Sequence, residues 1–290
     1  MTPFRLSTSL QTAPVANDPD DPAVWVDSRN PGRSLILGTN KVSKAEGGSL
    51  YVFSLSGSIV KVVSGLDRPN NVAIVKNWAV VTERLQNRLR VFRLPDLAPV
   101  GEIPCGPEPM GIAAWGNDSV LVSLKKSPLK EPLTRWKLVE RGGKVEGIKL
   151  QTIGTFSGKK EIEAIAVDAR WNQVYYADEG HGVRVWRGGK EIGLLGPEFT
   201  GDQEGIALFG NYIACNEQIP LAQGGSLLHI YDRRTLKKRA IFATGADETD
   251  GIEIDMRPLG PKFPRGILVA MNSGPKNFLV FDLRQILAKL

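Results

Sequence analysis

A strand carrying one aromatic residue recurs six times along this 290-residue chain: Leu50-Tyr51-Val52-Phe53, Leu89-Arg90-Val91-Phe92, Leu133-Thr134-Arg135-Trp136, Val183-Arg184-Val185-Trp186, Leu228-His229-Ile230-Tyr231 and Phe278-Leu279-Val280-Phe281. The aromatics Phe53, Phe92, Trp136, Trp186, Tyr231 and Phe281 follow one another at 39, 44, 50, 45 and 50 residues. Six repeats of about 45 residues match propeller blades of four strands each.

Two runs of period-2 apolar alternation precede each aromatic strand. The inner ones are Pro22 to Val26, Asn71 to Val75, Gly111 to Trp115, Ala164 to Asp168, Gly205 to Phe209 and Gly251 to Asp255. The second ones are Leu35 to Thr39, Trp78 to Thr82, Val120 to Ser123, Val174 to Ala177, Tyr212 to Cys215 and Ile267 to Met271. A fourth strand, such as Ile59 to Val63 or Arg239 to Ala243, completes most repeats. The last repeat stops at Leu290 soon after its third strand, so the stretch from Phe4 to Val15 is expected to supply its fourth. No sustained helical periodicity lies between the strands, which excludes an α/β fold, and 31 Gly with 19 Pro suit tight turns. The expectation is an all-β fold: one six-bladed β-propeller domain over residues 1–290, the last blade closed by the N-terminal strand.

The net charge of +6 is spread along the chain, with no Lys/Arg block interleaved with aromatics, so nucleic acid is not an expected partner. Two cysteines, Cys105 and Cys215, are too few for a disulfide scaffold and are expected to be small buried residues, with pairing left open. No apolar run reaches membrane-spanning length, and a monomer is expected. The opening residues show no signal-peptide core, which leaves a cytosolic chain or a mature exported one.

In an antiparallel blade the start of the inner strand and the end of the second lie at the same end. Reading both positions through six repeats therefore reads one surface. Inner-strand starts carry Asp20-Asp21, Asn70-Asn71, Pro109-Met110, Glu161-Ile162-Glu163, Gln203-Glu204 and Asp250. Second-strand ends carry Asn40-Lys41, Glu83-Arg84, Lys125-Lys126, Asp178-Glu179, Asn216-Glu217 and Asn272-Ser273. Basic residues come from repeats one to three, acids mainly from four to six and the first. Carboxylates about 4 Å apart repel by roughly 4 kcal/mol at an effective dielectric near 20, so a cation is expected among them. Oxygen ligands with only two histidines, His181 and His229, point to Ca²⁺ rather than Zn²⁺ or a redox metal. Lys41, Arg84 and Lys125 facing such acids form the kind of set that holds phosphoryl oxygens. Gly-x-Ser-x-Gly, a phosphate-cradling Gly-x-x-x-x-Gly-Lys loop, Arg-His-Gly and a Cys followed five residues later by Arg are all missing, which favours attack by a metal-activated water.

Several of these segments resemble β-propeller phytases. They are Asp20-Asp21-Pro22-Ala23-Val24-Trp25-Val26-Asp27, Gly38-Thr39-Asn40-Lys41, Gly48 to Gly57, Asn70-Asn71-Val72, Glu163 with Tyr176-Ala177-Asp178-Glu179, Glu204-Gly205-Ile206 and Thr249-Asp250-Gly251-Ile252. The resemblance runs from about Gln11 to Leu283. It implies a secreted or periplasmic, Ca²⁺-dependent phosphomonoesterase acting on phytate (myo-inositol hexakisphosphate) or a related small phosphorylated substrate. By position it implies Asp20, Asp21, Glu163, Glu179, Glu204 and Asp250 as metal ligands or water-orienting acids, and Glu217 as a calcium-site residue. It places Lys41, Arg84 and Lys125 on phosphate. Departures occur at Gln11, Asn17, Val42, Ala73 and Met110, where the family pattern has two acids, a lysine, an aspartate and a tyrosine. They imply weaker calcium binding and slower or different turnover. The rival readings are a non-catalytic propeller binding a phosphorylated or anionic ligand, and a Ca²⁺-dependent lactonase or esterase.

Overall fold

The computed structural model describes every residue from Met1 to Leu290. Its strands form six sheets, antiparallel but for one added strand, and the one α-helix is the four-residue turn Arg284–Leu287. The chain is all-β, six blades in a propeller arrangement, as the repeat predicts. Blade one is Pro19–Trp25, Leu35–Asn40, Ser49–Ser54 and Ile59–Ser64; blade two is Pro69–Val75, Trp78–Glu83, Arg88–Arg93 and Ala98–Pro104. Blade three is Pro109–Trp115, Ser119–Leu124, Lys130–Arg141 and Lys144–Thr155; blade four is Ile165–Asp168, Gln173–Asp178, Gly182–Arg187 and Lys190–Leu195. Blade five is Asp202–Phe209, Tyr212–Gln218, Leu227–Asp232 and Lys238–Ala243, and blade six is Ile252–Asp255, Ile267–Asn272 and Asn277–Asp282.

The N-terminal stretch divides its work. Leu10–Gln11 pairs antiparallel with Val280 and Leu279 as the fourth strand of blade six, as expected. Phe4–Arg5 instead adds a fifth, parallel strand to blade five, against Phe242 and Ala243. Two residues are too short for alternation to betray a strand, so this second pairing had no sequence signal.

The chain falls into two compact units. Blades five, six and one make the first; blades two, three and four make the second, together with the Lys41–Ser49 segment. In each unit, apolar clusters fill the space between neighbouring blades. Phe53 of blade one meets Phe278 of blade six with ring centroids 6.0 Å apart, inside a cluster that includes Ile36, Phe263, Val269 and Val280. Val80, Val91 and Val120 form the equivalent layer between blades two and three, and Leu121, Leu133 and Tyr176 the one between three and four. Each buried large side chain of this kind is worth about 1.5–3 kcal/mol, so the repeat's alternation itself supplies the adhesion between blades. The aromatic markers Phe53, Phe92, Tyr231 and Phe281 are buried, while Trp136 and Trp186 are half-buried.

Four inner strands carry a register shift in their first residues: between Pro19 and Pro22, Pro69 and Val72, Pro109 and Ile112, and Gln203 and Ile206. Such bulges break the ladder and re-aim side chains at a strand's end. A hydroxyl on the second strand fills the gap in the first three blades. Thr39 Oγ1 accepts from Asp21 N (2.9 Å), Thr82 Oγ1 from Asn71 N (2.9 Å) and Ser123 Oγ from Gly111 N (3.0 Å). Thr82 and Ser123 then donate to the next blade's backbone, at Met110 O (2.8 Å) and Ile162 O (2.5 Å).

Glycine lets that neighbouring backbone come close. A Cβ on Gly111 would lie 1.9 Å from the Glu163 carbonyl oxygen, and one on Gly251 would lie 2.6 Å from Asp21 Cα. The polar residues at the inner-strand starts are thus placed by backbone contacts between adjacent blades.

Candidate functional site

The second-strand ends hold two rows of side chains, one residue apart, with different work. The first row clamps the loop that enters the blade. Asn40 Oδ1 accepts from Asn17 N (3.1 Å) and Asp18 N (2.9 Å), and Glu83 Oε1 from Asp67 N (2.8 Å). Asp178 Oδ2 accepts from Ser157 N (2.8 Å), Glu217 Oε1 from Thr200 N (2.6 Å), and Asn272 Oδ1 from Asp247 N (2.9 Å). Only blade three departs, with Leu124 at this position. The second row is Lys41, Arg84, Lys125, Glu179, Gln218 and Ser273. Successive residues of a strand face opposite ways, so only one row can serve the loop and the other is left for the site.

In the unit of blades two to four, the second row meets the acids of the inner-strand starts. Glu161, Glu163 and Glu179 bring ligand oxygens within 4.8 Å of one another. At that spacing each pair of charges repels by about 3–4 kcal/mol at an effective dielectric near 20. Lys41 Nζ lies 3.8 Å from Glu163 Oε1, and Lys125 Nζ pairs with Glu161 Oε2. Arg84 is buried; its Nη2 donates to Glu108 Oε1 (3.0 Å) and its Nη1 to Asn70 Oδ1 (3.4 Å), while its Nε has no hydrogen-bond partner. The structure therefore brings together Lys41, Arg84, Lys125, Glu163 and Glu179 with Glu161 and Asn70 of the inner-strand starts, and adds Glu108. Oxygens around one calcium ion lie up to about 5 Å apart, given bonds of about 2.3–2.6 Å, so the three glutamates fit that ion.

In the unit of blades five, six and one, Asp20 and Glu204 are buried and Asp21 and Asp250 half-buried at inner-strand starts. Their backbones interlock: Gly251 N donates to Asp20 O (3.1 Å) and Gly205 N to Asp250 O (2.7 Å). Gln218 of the second row donates to Asp250 Oδ1.

Glu217, expected among the calcium-site residues, belongs to the clamp row. Oε1 takes Thr200 N, Thr200 Oγ1 (3.0 Å) and Gly201 N (3.2 Å), and Oε2 lies 2.8 Å from the donor Nε2 of buried His229. Burial opposes its charge, yet the bonds from His229, Gly201 and Thr200 outweigh this and hold the carboxyl down at about 2. The position one residue on, Gln218, is the one aimed at an inner-strand acid. A one-residue offset is invisible in a list of strand-end residues when both rows are polar.

Sequence reasoning also passed over Glu253, in the middle of blade six's inner strand. Burial pushes its carboxyl well above the usual range; the charges of Asp255 and Asp21 add to this and Arg257 opposes it.

The departures fall in different surroundings. Gln11 lies on the outermost strand of blade six and accepts from Asn277 Nδ2 (3.2 Å), three strands from the inner one. At about 4.8 Å per strand that is some 14 Å from the inner-strand acids, so its amide removes no charge from them. Met110 is buried at the start of blade three's inner strand, and Ala73 packs in the apolar layer between blades two and three. Val42 uses its carbonyl to accept Arg68 N (3.0 Å), and the Asn17 backbone sits in the Asn40 clamp. Cys105 and Cys215 are buried free thiols, and burial pushes Cys105 up to about 12. No helix is long and apolar enough to cross a membrane.

An all-β propeller whose strand ends gather acids and bases is the class this fold and site define. The likeness to a solved β-propeller domain, that of Myceliophteria_thermophila Cps50 (Swd1), has a TM-score of 0.61 at 8% identity, over 96% of this chain and 99% of that one, and shows the fold alone. The phytase family model matches residues 129–277, half of the chain, and the chain belongs to the phytase family. A 3-phytase of Bacillus subtilis (strain 168) is 23% identical over 316 aligned residues, which cover 93% of this chain and 79% of that protein. A phytase-like function follows from the family.

Proposed function

We propose that the chain is a Ca²⁺-dependent phosphomonoesterase that hydrolyses phytate or a related phosphoester. One observation carries the reading. Three carboxylates at ligand spacing and three cations of the second row converge in the unit of blades two to four, with the buried Arg84 Nε lacking an acceptor. A phosphate oxygen supplies that acceptor, and a bidentate guanidinium contact is the strong form of such a bond. Glu161, Glu163 and Glu179 would hold calcium there, and Asp20, Asp21, Glu204 and Asp250 are the further proposed acids of the other unit. When bound, calcium would polarise phosphoryl oxygens and acidify a water for attack on phosphorus.

The chain's own residues do the remaining work. Lys41 and Lys125, each on a flexible stem, exchange a carboxylate partner for a phosphate oxygen. Arg84 keeps Glu108 and Asn70 as fixed partners and so presents its free edge in one orientation. The family and the small phosphorylated substrate class point to an extracellular setting, secreted or periplasmic.

The test is phosphate release from phytate by purified protein, with millimolar calcium and with excess chelator. Calcium-dependent release supports the reading; none at neutral to alkaline pH sinks it. A binding-only propeller is the second reading, favoured by Met110, whose buried thioether stands where the family pattern has a tyrosine. Phytate that binds with calcium and is never cleaved, with Met110→Tyr restoring release, would establish that reading instead.

A further inference from the structure

Asn70 is the second residue of blade two's inner strand, and none of it reaches solvent. Its amide nitrogen donates to Glu163 Oε1 at 2.5 Å and to Asn71 Oδ1 at 2.9 Å. Its amide oxygen accepts from Arg84 Nη1 at 3.4 Å. A carboxamide offers a donor and an acceptor on one rigid plane. Here the donor end faces a carboxylate of the acidic cluster and the acceptor end faces a cation of the rim. An aspartate would turn an oxygen on Glu163, and an aliphatic residue would leave both groups unmet.

We infer that Asn70 is a positioning residue that couples cation binding at Glu163 to phosphate binding at Arg84. The inference rests on the proposed reading of the site as a calcium and phosphoester site. Holding Glu163 Oε1 fixes the carboxylate's rotation and so the direction of its remaining lone pairs, which is what outer partners do for metal ligands. On the other side, Arg84 is tied at Nη1 by Asn70 and at Nη2 by Glu108, which leaves Nε as its unpartnered donor. A shift of Glu163 toward a cation draws the amide with it, and the guanidinium on the amide's oxygen follows. Thermodynamic linkage then requires the effect to be reciprocal: calcium raises phosphate affinity by the factor by which phosphate raises calcium affinity.

The experiment is calorimetric titration of the full chain with calcium and with phenylphosphonate, a soluble mimic that is not hydrolysed, each alone and in the presence of the other. Wild type should show a coupling factor of about ten. Asn70→Ala should bind calcium about tenfold more weakly, and its coupling factor should fall severalfold below that of wild type, leaving only what direct contact between calcium and phosphonate supplies. Asn70→Asp, which keeps the side chain's volume, guards against failure of the alanine variant to fold and should lower the coupling factor as well. General destabilisation weakens both affinities without removing the factor between them, so retention of the wild-type factor in either folded variant overturns the inference. A wild type that binds both ligands independently overturns it too. A wild type that binds neither refutes the reading of the site itself, and the inference falls with it.

Discussion

Blades four and five end their second strands on the same two positions and fill them differently. In blade four these are Asp178 and Glu179, and in blade five Glu217 and Gln218. The first of each pair binds the loop that enters the blade, Ser157 in one and Thr200 with Gly201 in the other. Each buried clamp acid also has a basic side chain on the third strand: Arg184 Nε at 2.6 Å from Asp178, and His229 Nε2 at 2.8 Å from Glu217. Glu83 follows the same rule with Arg88 at 2.6 Å, whereas the neutral clamps Asn40 and Asn272 need no counter-charge. Each of these strand-end acids is thus bound to the loop backbone and to its own third-strand base. An acid one residue further on, such as Glu179, has joined a carboxylate cluster instead.

The sharpest way to break this comparison is to remove a clamp acid. Asp178→Ala leaves Arg184 buried with only Glu191 and Thr155 as partners, and should cost about 3 kcal/mol in urea unfolding. If Glu179→Ala costs as much, the two rows do not differ in the way described. Next in size, Glu179→Gln should lower kcat/KM on phytate about 100-fold, roughly 2.7 kcal/mol of barrier, while leaving the unfolding midpoint in place.

Glu217→Gln should cost about 2 kcal/mol, because three donors then meet a neutral acceptor. The pH dependence has a definite sign. The folded carboxyl is depressed to about 2 from an ordinary value of 4.5. The stability difference between wild type and this variant is therefore full above the ordinary value and is lost as pH falls through about 2. A difference that grows on acidification would contradict the assignment. The smallest effect belongs to Gln218→Ala, which should raise KM about threefold through its loss of contact with Asp250 while leaving the unfolding midpoint near wild type.

Much of this architecture was legible. The six aromatic strands gave the blade count, and the missing fourth strand of the last repeat pointed to the stretch from Phe4 to Val15, within which Leu10–Gln11 supplies it. Lys41, Arg84, Lys125, Glu163 and Glu179 share a strand end because period-2 alternation and a fixed repeat put them there. The clamp row stayed hidden for a physical reason. Asn40, Glu83, Asp178, Glu217 and Asn272 bind backbone N–H groups, and backbone carries no residue code, so their partners cannot be read from the chain. Asn70 was placed among the inner-strand starts, but its partners stayed hidden for a related reason, since an amide between an acid and an arginine has meaning only once all three meet. The parallel strand Phe4–Arg5 left no trace because its partner pairing rests on backbone bonds such as Leu6 N to Ala243 O (3.0 Å).

The most direct measurement is phosphate release from phytate by wild type, Glu163→Gln and Glu217→Gln, each with calcium and with chelator. The account predicts release that requires calcium, is lost in Glu163→Gln and persists in folded Glu217→Gln. Release that survives both chelator and Glu163→Gln, or that fails in wild type, would contradict it.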